Sequence, residues 1–229
     1  MGNKIVSLIQ KLKFVTSYIF HKNFSELDFL KSIVNEKSTI IDIGSNLGNF
    51  ISFIKRVDKK AQVLSIEPNL DLIMYQKKKF RRHSNINFFN MGINSYSKLA
   101  TFYIRNPISH SSFLKNHPDE EFNKIVKTTK IKVETLDNFL KKQNIEKITL
   151  LKIDTEGLDY EILLSLKNLL LNKKIEFIKI EANKDTFEKI ISFANDQNLK
   201  LVGFSDAFYF RNRLVMMDIY LKNENLFIT

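Results

Sequence analysis

The chain of 229 residues has no cysteine, three prolines, six glycines, and only six arginines beside thirty lysines. Without cysteine there is no disulfide scaffold, no thiolate metal site and no cysteine nucleophile, and the composition suits a reducing, cytoplasmic setting. So little glycine and proline argues against long flexible linkers. No apolar run reaches the roughly 18 residues that a membrane-spanning helix needs. The first residues do not read as a signal peptide, because Gln10, Lys11 and Lys13 interrupt the apolar stretch and no small-residue cleavage site follows. Scarce arginine also weakens a nucleic-acid reading, since arginine is the residue suited to bidentate phosphate and base-edge contacts.

What is present is a folding composition, 44% hydrophobic and 27% charged, with a net charge of +11. That charge keeps nucleic acid and an anionic membrane surface in view as partners, while solubility alone accounts for much of the lysine. The densest cationic run, Lys77-Lys78-Lys79-Phe80-Arg81-Arg82-His83, reads as an exposed helix end, with a phosphate-bearing partner as the alternative. Residues 1–37 read as a helical extension and 38–229 as one domain. Within the extension Ile5, Leu8, Ile9, Leu12, Val15 and Ile19 recur at helical spacing. That stripe is expected to pack on its own domain, with peripheral membrane contact through residues 4–20 as the rival reading.

From Thr39 onward short β-branched runs alternate with helical patterns. Strands are expected at 39–43, 62–66, 86–91, 148–153 and 175–180, each followed by a helix or turn. A further strand is expected at 99–105, a short one at 131–133, and a closing pair at 199–204 and 214–221 that could form a hairpin. The stretch 106–123, with Pro107 and Pro118, reads as a long loop over a binding site. Repeated strand–helix alternation gives an α/β fold: a doubly wound, mostly parallel sheet with a C-terminal antiparallel hairpin. Ligands of such sheets lie beyond the carboxyl ends of the strands, so the residues there carry the functional reading.

The first strand ends in Asp42-Ile43-Gly44-Ser45-Asn46-Leu47-Gly48. Gly44 permits a tight turn and close ligand approach, and Gly48 suits packing at the following helix start. Asn46 stands where the dinucleotide fingerprint has its second glycine, and Asp42 would repel a pyrophosphate. A carboxylate there fits a cationic ligand better. The second strand ends in Glu67-Pro68-Asn69, an acidic residue placed to accept hydrogen bonds from both hydroxyls of a ribose. Together these imply a nucleoside with a positively charged tail, which describes S-adenosylmethionine better than NAD or ATP. Met91 and Gly92, closing the third strand, are further candidate cofactor contacts. The fourth main strand runs into Asp154, Glu156 and Asp159, and Glu181 follows a neighbouring strand. Carboxylates crowded at a strand mouth are unfavourable unless they face a cation or move protons. Asp159 and Glu161 are also explained as acidic residues at a helix start.

The ordered set Ile41–Gly48, Ile66–Asn69, Thr135-Leu136-Asp137, Leu151–Gly157 and Ile178–Glu181 resembles FkbM-type methyltransferases over roughly residues 38–182. Its most specific pieces are the D-x-G-x-N-x-G turn and the K-I-D-x-E-G segment, and Ser111-Ser112-Phe113 is a plausible counterpart of the family's serine-containing middle segment. The resemblance implies a class I methyltransferase (Rossmann-like) fold, S-adenosylmethionine as cofactor, and O-methylation, often of sugar-containing acceptors. On that reading Asp154 is the base or an electrostatic partner of the cofactor, Glu156 and Glu181 position the acceptor, and His110 is an alternative base. Asp154 and Glu156 are also candidate ligands of a divalent cation, which favours oxygen donors. The rival functions are an RNA methyltransferase using the basic surface and a non-catalytic nucleoside-binding scaffold.

Overall fold

The computed structural model describes residues 24–116, 124–210 and 213–227; the N-terminal stripe and its proposed membrane contact lie outside them. In chain order the elements are α1 (Glu26–Ile33), β1 (Thr39–Ile43), α2 (Asn49–Val57), β2 (Gln62–Ile66), α3 (Leu70–Lys79), β3 (Ile86–Phe89) and β4 (Gly92–Ile93). There follow β5 (Lys98–Asn106), β6 (Lys124–Glu134), α4 (Leu136–Gln143), β7 (Ile148–Ile153), α5 (Asp159–Ser165), α6 (Lys167–Leu171), β8 (Ile175–Asn183), α7 (Phe187–Asp196), β9 (Leu199–Phe210) and β10 (Arg213–Asn223).

The main sheet has seven strands in the order β3-β2-β1-β7-β8-β10-β9. The first five are mutually parallel, and β10 runs antiparallel to both β8 and β9. Chain order reverses between β1 and β7, and the crevice beyond their carboxyl ends is where ligands of such sheets bind. Strands buried on both faces read as continuous apolar runs, which is why Thr39–Ile43 and Ile148–Ile153 were legible. One face packs against α4 to α7, with Ile41, Leu64, Leu151 and Ile178 at its centre. The other face, with Ile40, Val63, Leu150 and Phe177, is covered by α1 and α2. Leu30 of α1 is fully buried there, which contributes about 2 kcal/mol. Among the described residues no helix is long and apolar enough to cross a membrane.

Three sequence expectations are corrected. The strand expected over 86–91 stops at Phe89, a separate two-residue strand follows at Gly92–Ile93, and the helical stretch after β7 breaks at Leu166 into α5 and α6. The strands at 99–105 and 131–133 are parts of a second, three-stranded sheet of order β4-β6-β5, in which β5 and β6 pair antiparallel over most of their length. Four lysines in β6, at 124, 127, 130 and 132, hid that strand from a hydrophobic-run reading, because only its last residues are buried.

Candidate active site

The turn after β1 is built from three residues in the left-handed region: Gly44 at φ 78°, Asn46 at φ 47° and Gly48 at φ 69°. At Gly44 a side chain is excluded twice over, by that φ and because a Cβ would fall 1.7 Å from the carbonyl oxygen of Asp154. The ends of β1 and β7 therefore touch backbone to backbone. The amides of Gly44 and Ser45 both bond the Ile66 carbonyl, at 3.0 and 3.2 Å, which folds the turn over β2. Behind it lies a buried hydrogen-bond cluster. Ser45 Oγ and Ser65 Oγ are 2.7 Å apart, Ser65 Oγ donates to Gln76 Oε1, and Gln76 Nε2 donates to Ser45 Oγ and to the Asn46 carbonyl.

Glu67, at the end of β2, is 5% exposed. Its Oε2 accepts the amide of Asn46 at 2.9 Å and its Oε1 the amide of Asn69 at 2.8 Å. Each oxygen keeps a lone pair for a further donor. Burial pushes the carboxyl up to about 7, against the pull of those two amides.

The segment after β7 forms a second tight turn, with Glu156 at φ 56° and Gly157 at φ 114°. Asp159 organises it by accepting the Thr155 amide at 2.7 Å, the Thr155 hydroxyl at 3.1 Å and the Gly157 amide at 3.1 Å. Its role is thus to brace the turn. Asp154 is freer: one oxygen receives Lys152 Nζ at 2.8 Å, and the side chain is 36% exposed. Burial, with Asp154 and Asp159 nearby, raises the Glu156 carboxyl to about 8, opposed by Lys152 and Arg105.

Both turns open onto one cleft. Its wall combines the bare backbone of Gly44 and the polar side chains of Asn46, Glu67, Asp154 and Glu156 with the apolar side chains of Met91, Ile93, Phe102, Phe113 and Leu158. Phe113 comes from the segment after β5. Buried Arg105 straps that segment down by donating from one nitrogen, Nη2, to the carbonyls of Leu114 and Lys115 at 2.7 and 2.8 Å.

Of the residues singled out in the sequence, Gly44, Asn46, Glu67, Pro68, Met91, Gly92, Asp154 and Glu156 line this cleft together. Asp42, Ser45, Gly48 and Asn69 do not. Asp42 lies fully buried behind the cleft, 3.4 Å from Lys152 Nζ, and burial holds its carboxyl above the usual range. Gly48 makes room for the Phe80 ring, which a Cβ would approach to 2.7 Å, and Asn69 caps α3 by accepting the Asp71 amide. Glu181 is not a strand-end residue: it sits inside β8 opposite Asp218 of β10 and outside the cleft wall. Burial and the neighbouring carboxylates Asp154, Asp159 and Glu156 push it up to about 9. His110 lies in a short 3-10 turn whose neighbours Ile108 and Ser111 reach the cleft, while its own side chain does not. Among the described residues no group of three or more His, Asp or Glu could hold a metal ion, so the expected divalent cation has no site there. Lys152 already holds one oxygen of Asp154, and the turn takes up Asp159.

The cleft fits a nucleoside with a cationic tail. Asn46 Oδ1 is buried in its wall with no hydrogen-bond donor, an acceptor left open to a ligand. Gly44 leaves the backbone bare in the wall, and the apolar side chains, Phe102 and Phe113 among them, offer carbon surface to a ring. Sequence reasoning missed Lys152, Gln76 and Ser65. The one signal for Lys152 was a cation inside an otherwise apolar strand.

Comparison with known proteins agrees with this geometry. Methyltransferase 1 of Beauveria bassiana (strain ARSEF 2860) is 22% identical over 188 residues, covering 69% of this chain and 76% of that protein. A solved FkbM methyltransferase from Methylobacillus flagellatus KT superposes with a TM-score of 0.53 at 16% identity. The match covers 82% of this chain but only 45% of that one, so this chain corresponds to less than half of it. An rRNA methylase from Streptococcus thermophilus gives a TM-score of 0.52 at 12% identity, covering 86% and 93% of the two chains. At these identities the solved structures establish the class I methyltransferase fold. The model of the FkbM methyltransferase domain matches residues 42–201, and on that match this chain belongs to the FkbM family of S-adenosylmethionine-dependent methyltransferases.

Proposed function

We propose that the protein methylates a hydroxyl group of a sugar-containing acceptor. The observation that carries this reading is the placing of Asp154 and Glu156 on the wall of the same cleft as Gly44, Asn46 and Glu67. When bound, S-adenosylmethionine supplies a methyl group made electrophilic by its sulfonium. Gly44, Asn46, Glu67, Pro68, Met91 and Gly92 would hold it, Glu67 taking the ribose hydroxyls with its remaining lone pairs. Asp42, Ser45, Gly48 and Asn69 support that wall from behind.

A hydroxyl is a poor nucleophile near neutral pH, so its proton must be taken as the new bond forms. Asp154 is the proton acceptor, since one oxygen is held by Lys152 and the other has no partner among the described residues. Glu156 keeps its proton at neutral pH and donates a hydrogen bond to the acceptor. Glu181, inside β8 opposite Asp218 and off the cleft wall, takes no direct part in holding the acceptor. His110, off the cleft wall, has no part in proton transfer.

The test is incubation with donor labelled on the methyl group and a panel of glycans, with RNA as a parallel arm. Label is expected in a base-stable methyl ether on a sugar. Asp154→Asn is expected to lower turnover by about 100-fold or more while calorimetric affinity for the uncharged product, S-adenosylhomocysteine, stays within a few-fold. Glu67→Ala is expected to weaken that affinity instead. Label appearing in RNA alone, or undiminished turnover by Asp154→Asn, contradicts the proposal.

A further inference from the structure

Lys152 occupies an unusual place: it is 7% exposed, in the middle layer of the sheet, with a carboxylate on either side. Side chains alternate along a strand, so Lys152 and Asp154 emerge on the same face of β7. Register sets Asp42 of β1 directly beside Lys152. The ammonium sits 2.8 Å from Asp154 Oδ2 and 3.4 Å from Asp42 Oδ1, and 5.8 Å from the centre of the Phe50 ring. Neither oxygen of Asp42 receives a hydrogen bond, although the side chain has no solvent exposure. An isolated buried carboxylate is costly, and here Lys152 is the cation that offsets it.

The neighbouring cation in this layer is committed elsewhere. Lys179, beside Lys152 on β8, bonds Glu26 of α1 at 2.7 Å and Asp218 of β10 at 2.8 Å. Among the described residues Lys152 is therefore the cation that pairs directly with both Asp42 and Asp154, Lys179 adding a weaker attraction to Asp42. Burial by itself would depress the Lys152 ammonium, but Asp154 and Asp42 outweigh it and hold it above the ordinary lysine range.

We infer that Lys152 is a positioning residue: anchored from behind by Asp42, it holds one oxygen of Asp154 and turns the other toward the cleft. Asp42 then contributes to the cleft without touching a ligand, and the D-x-G and K-I-D segments work as one device. The three groups together carry one net negative charge facing the cleft, which suits a sulfonium. This inference rests on reading the cleft as the methyl-donor site.

The test compares the parent with Lys152→Arg, Lys152→Met and the double variant Asp42→Asn/Lys152→Met. The double variant removes both members of the buried pair, so it keeps the net charge and avoids leaving a lone buried carboxylate. It is expected to fold, with a melting transition close to the parent's. Affinities for S-adenosylmethionine and for S-adenosylhomocysteine are measured by calorimetry between about pH 6 and about pH 9. Expected is at least about a tenfold loss of S-adenosylmethionine affinity in the double variant, with a smaller loss for the uncharged product. Its pH profile is expected to shift, and Lys152→Arg should restore most of the preference for the sulfonium. A folded double variant whose affinities and pH profile superimpose on the parent's overturns the role of Lys152 while leaving the donor-site reading intact. A parent that binds neither molecule overturns both.

Discussion

At the scale of single residues, the two turns at the cleft depend on positions where the backbone leaves no choice. Gly44 is the sharpest case, because its φ and its contact with the Asp154 carbonyl each exclude a Cβ. Gly44→Ala must shift β1 against β7 and adopt a left-handed φ, a cost of about 2 kcal/mol or more. The variant is expected to melt several degrees lower and to bind the donor weakly. A melting curve and donor affinity equal to the parent's would show that the contact is not tight. Asp159 shows the converse, a carboxylate at a strand mouth that looks functional and is taken up entirely by the Thr155 and Gly157 amides and the Thr155 hydroxyl. Sequence spacing cannot separate it from Asp154, since both follow the same strand within a few residues. What separates them is the direction of the side chain.

Among the elements, the segment after β5 matters most for the cleft. Its Phe113 packs on Phe102, with ring centres 4.9 Å apart, and sits against Gly92, where a Cβ would lie 2.6 Å from the ring. Arg105 holds the segment through the Leu114 and Lys115 carbonyls, and Ser111 Oγ accepts the Arg105 amide at 3.0 Å. Arg105→Gln shortens that reach and leaves the Leu114 and Lys115 carbonyls without a charged donor. Expected are faster hydrogen exchange over residues 107–116 and a donor affinity lower by roughly tenfold, since a hydrogen bond to a charged group is worth about 1.5–3 kcal/mol. Unchanged exchange would show that the segment is held by its apolar side chains instead. The long-loop expectation located this wall correctly, with Ile108, Ser111 and Phe113 all at the cleft. The strap itself was not legible, because its acceptors are backbone carbonyls, which carry no sequence signature.

For the whole molecule, the buried carboxyls at and near the carboxyl ends of β2, β7 and β8 set how stability responds to pH. Burial raises Glu67 to about 7, Glu156 to about 8 and Glu181 to about 9. Above the ordinary carboxylate range the unfolded chain has lost these protons while the folded chain keeps them. The unfolded state then binds fewer protons, so stability falls as pH rises. The melting temperature is expected to decline from about pH 5 to about pH 8. A profile that is flat or rising over that window would show these carboxyls to be solvated or paired. Glu67 and Glu156 both line the cleft, so the site costs the fold part of its stability as pH rises.

The sequence by itself determined the parallel sheet and which turns carry chemistry. Apolar β-branched runs spaced by helical patterns leave no other way to bury both faces of the strands. A glycine-bearing turn after one strand, with an acidic residue closing the next, marks the crevice end of the sheet. Only the tertiary structure decided which carboxylates face the cleft. Asp42, Glu67, Asp154 and Glu181 look alike along the chain, yet strand register buries Asp42 behind Lys152, bonds Glu67 to two amides, opens Asp154 to the cleft and sets Glu181 against Asp218. The physical reason is that a carboxylate's function depends on its partners, and those partners come from strands far apart in sequence.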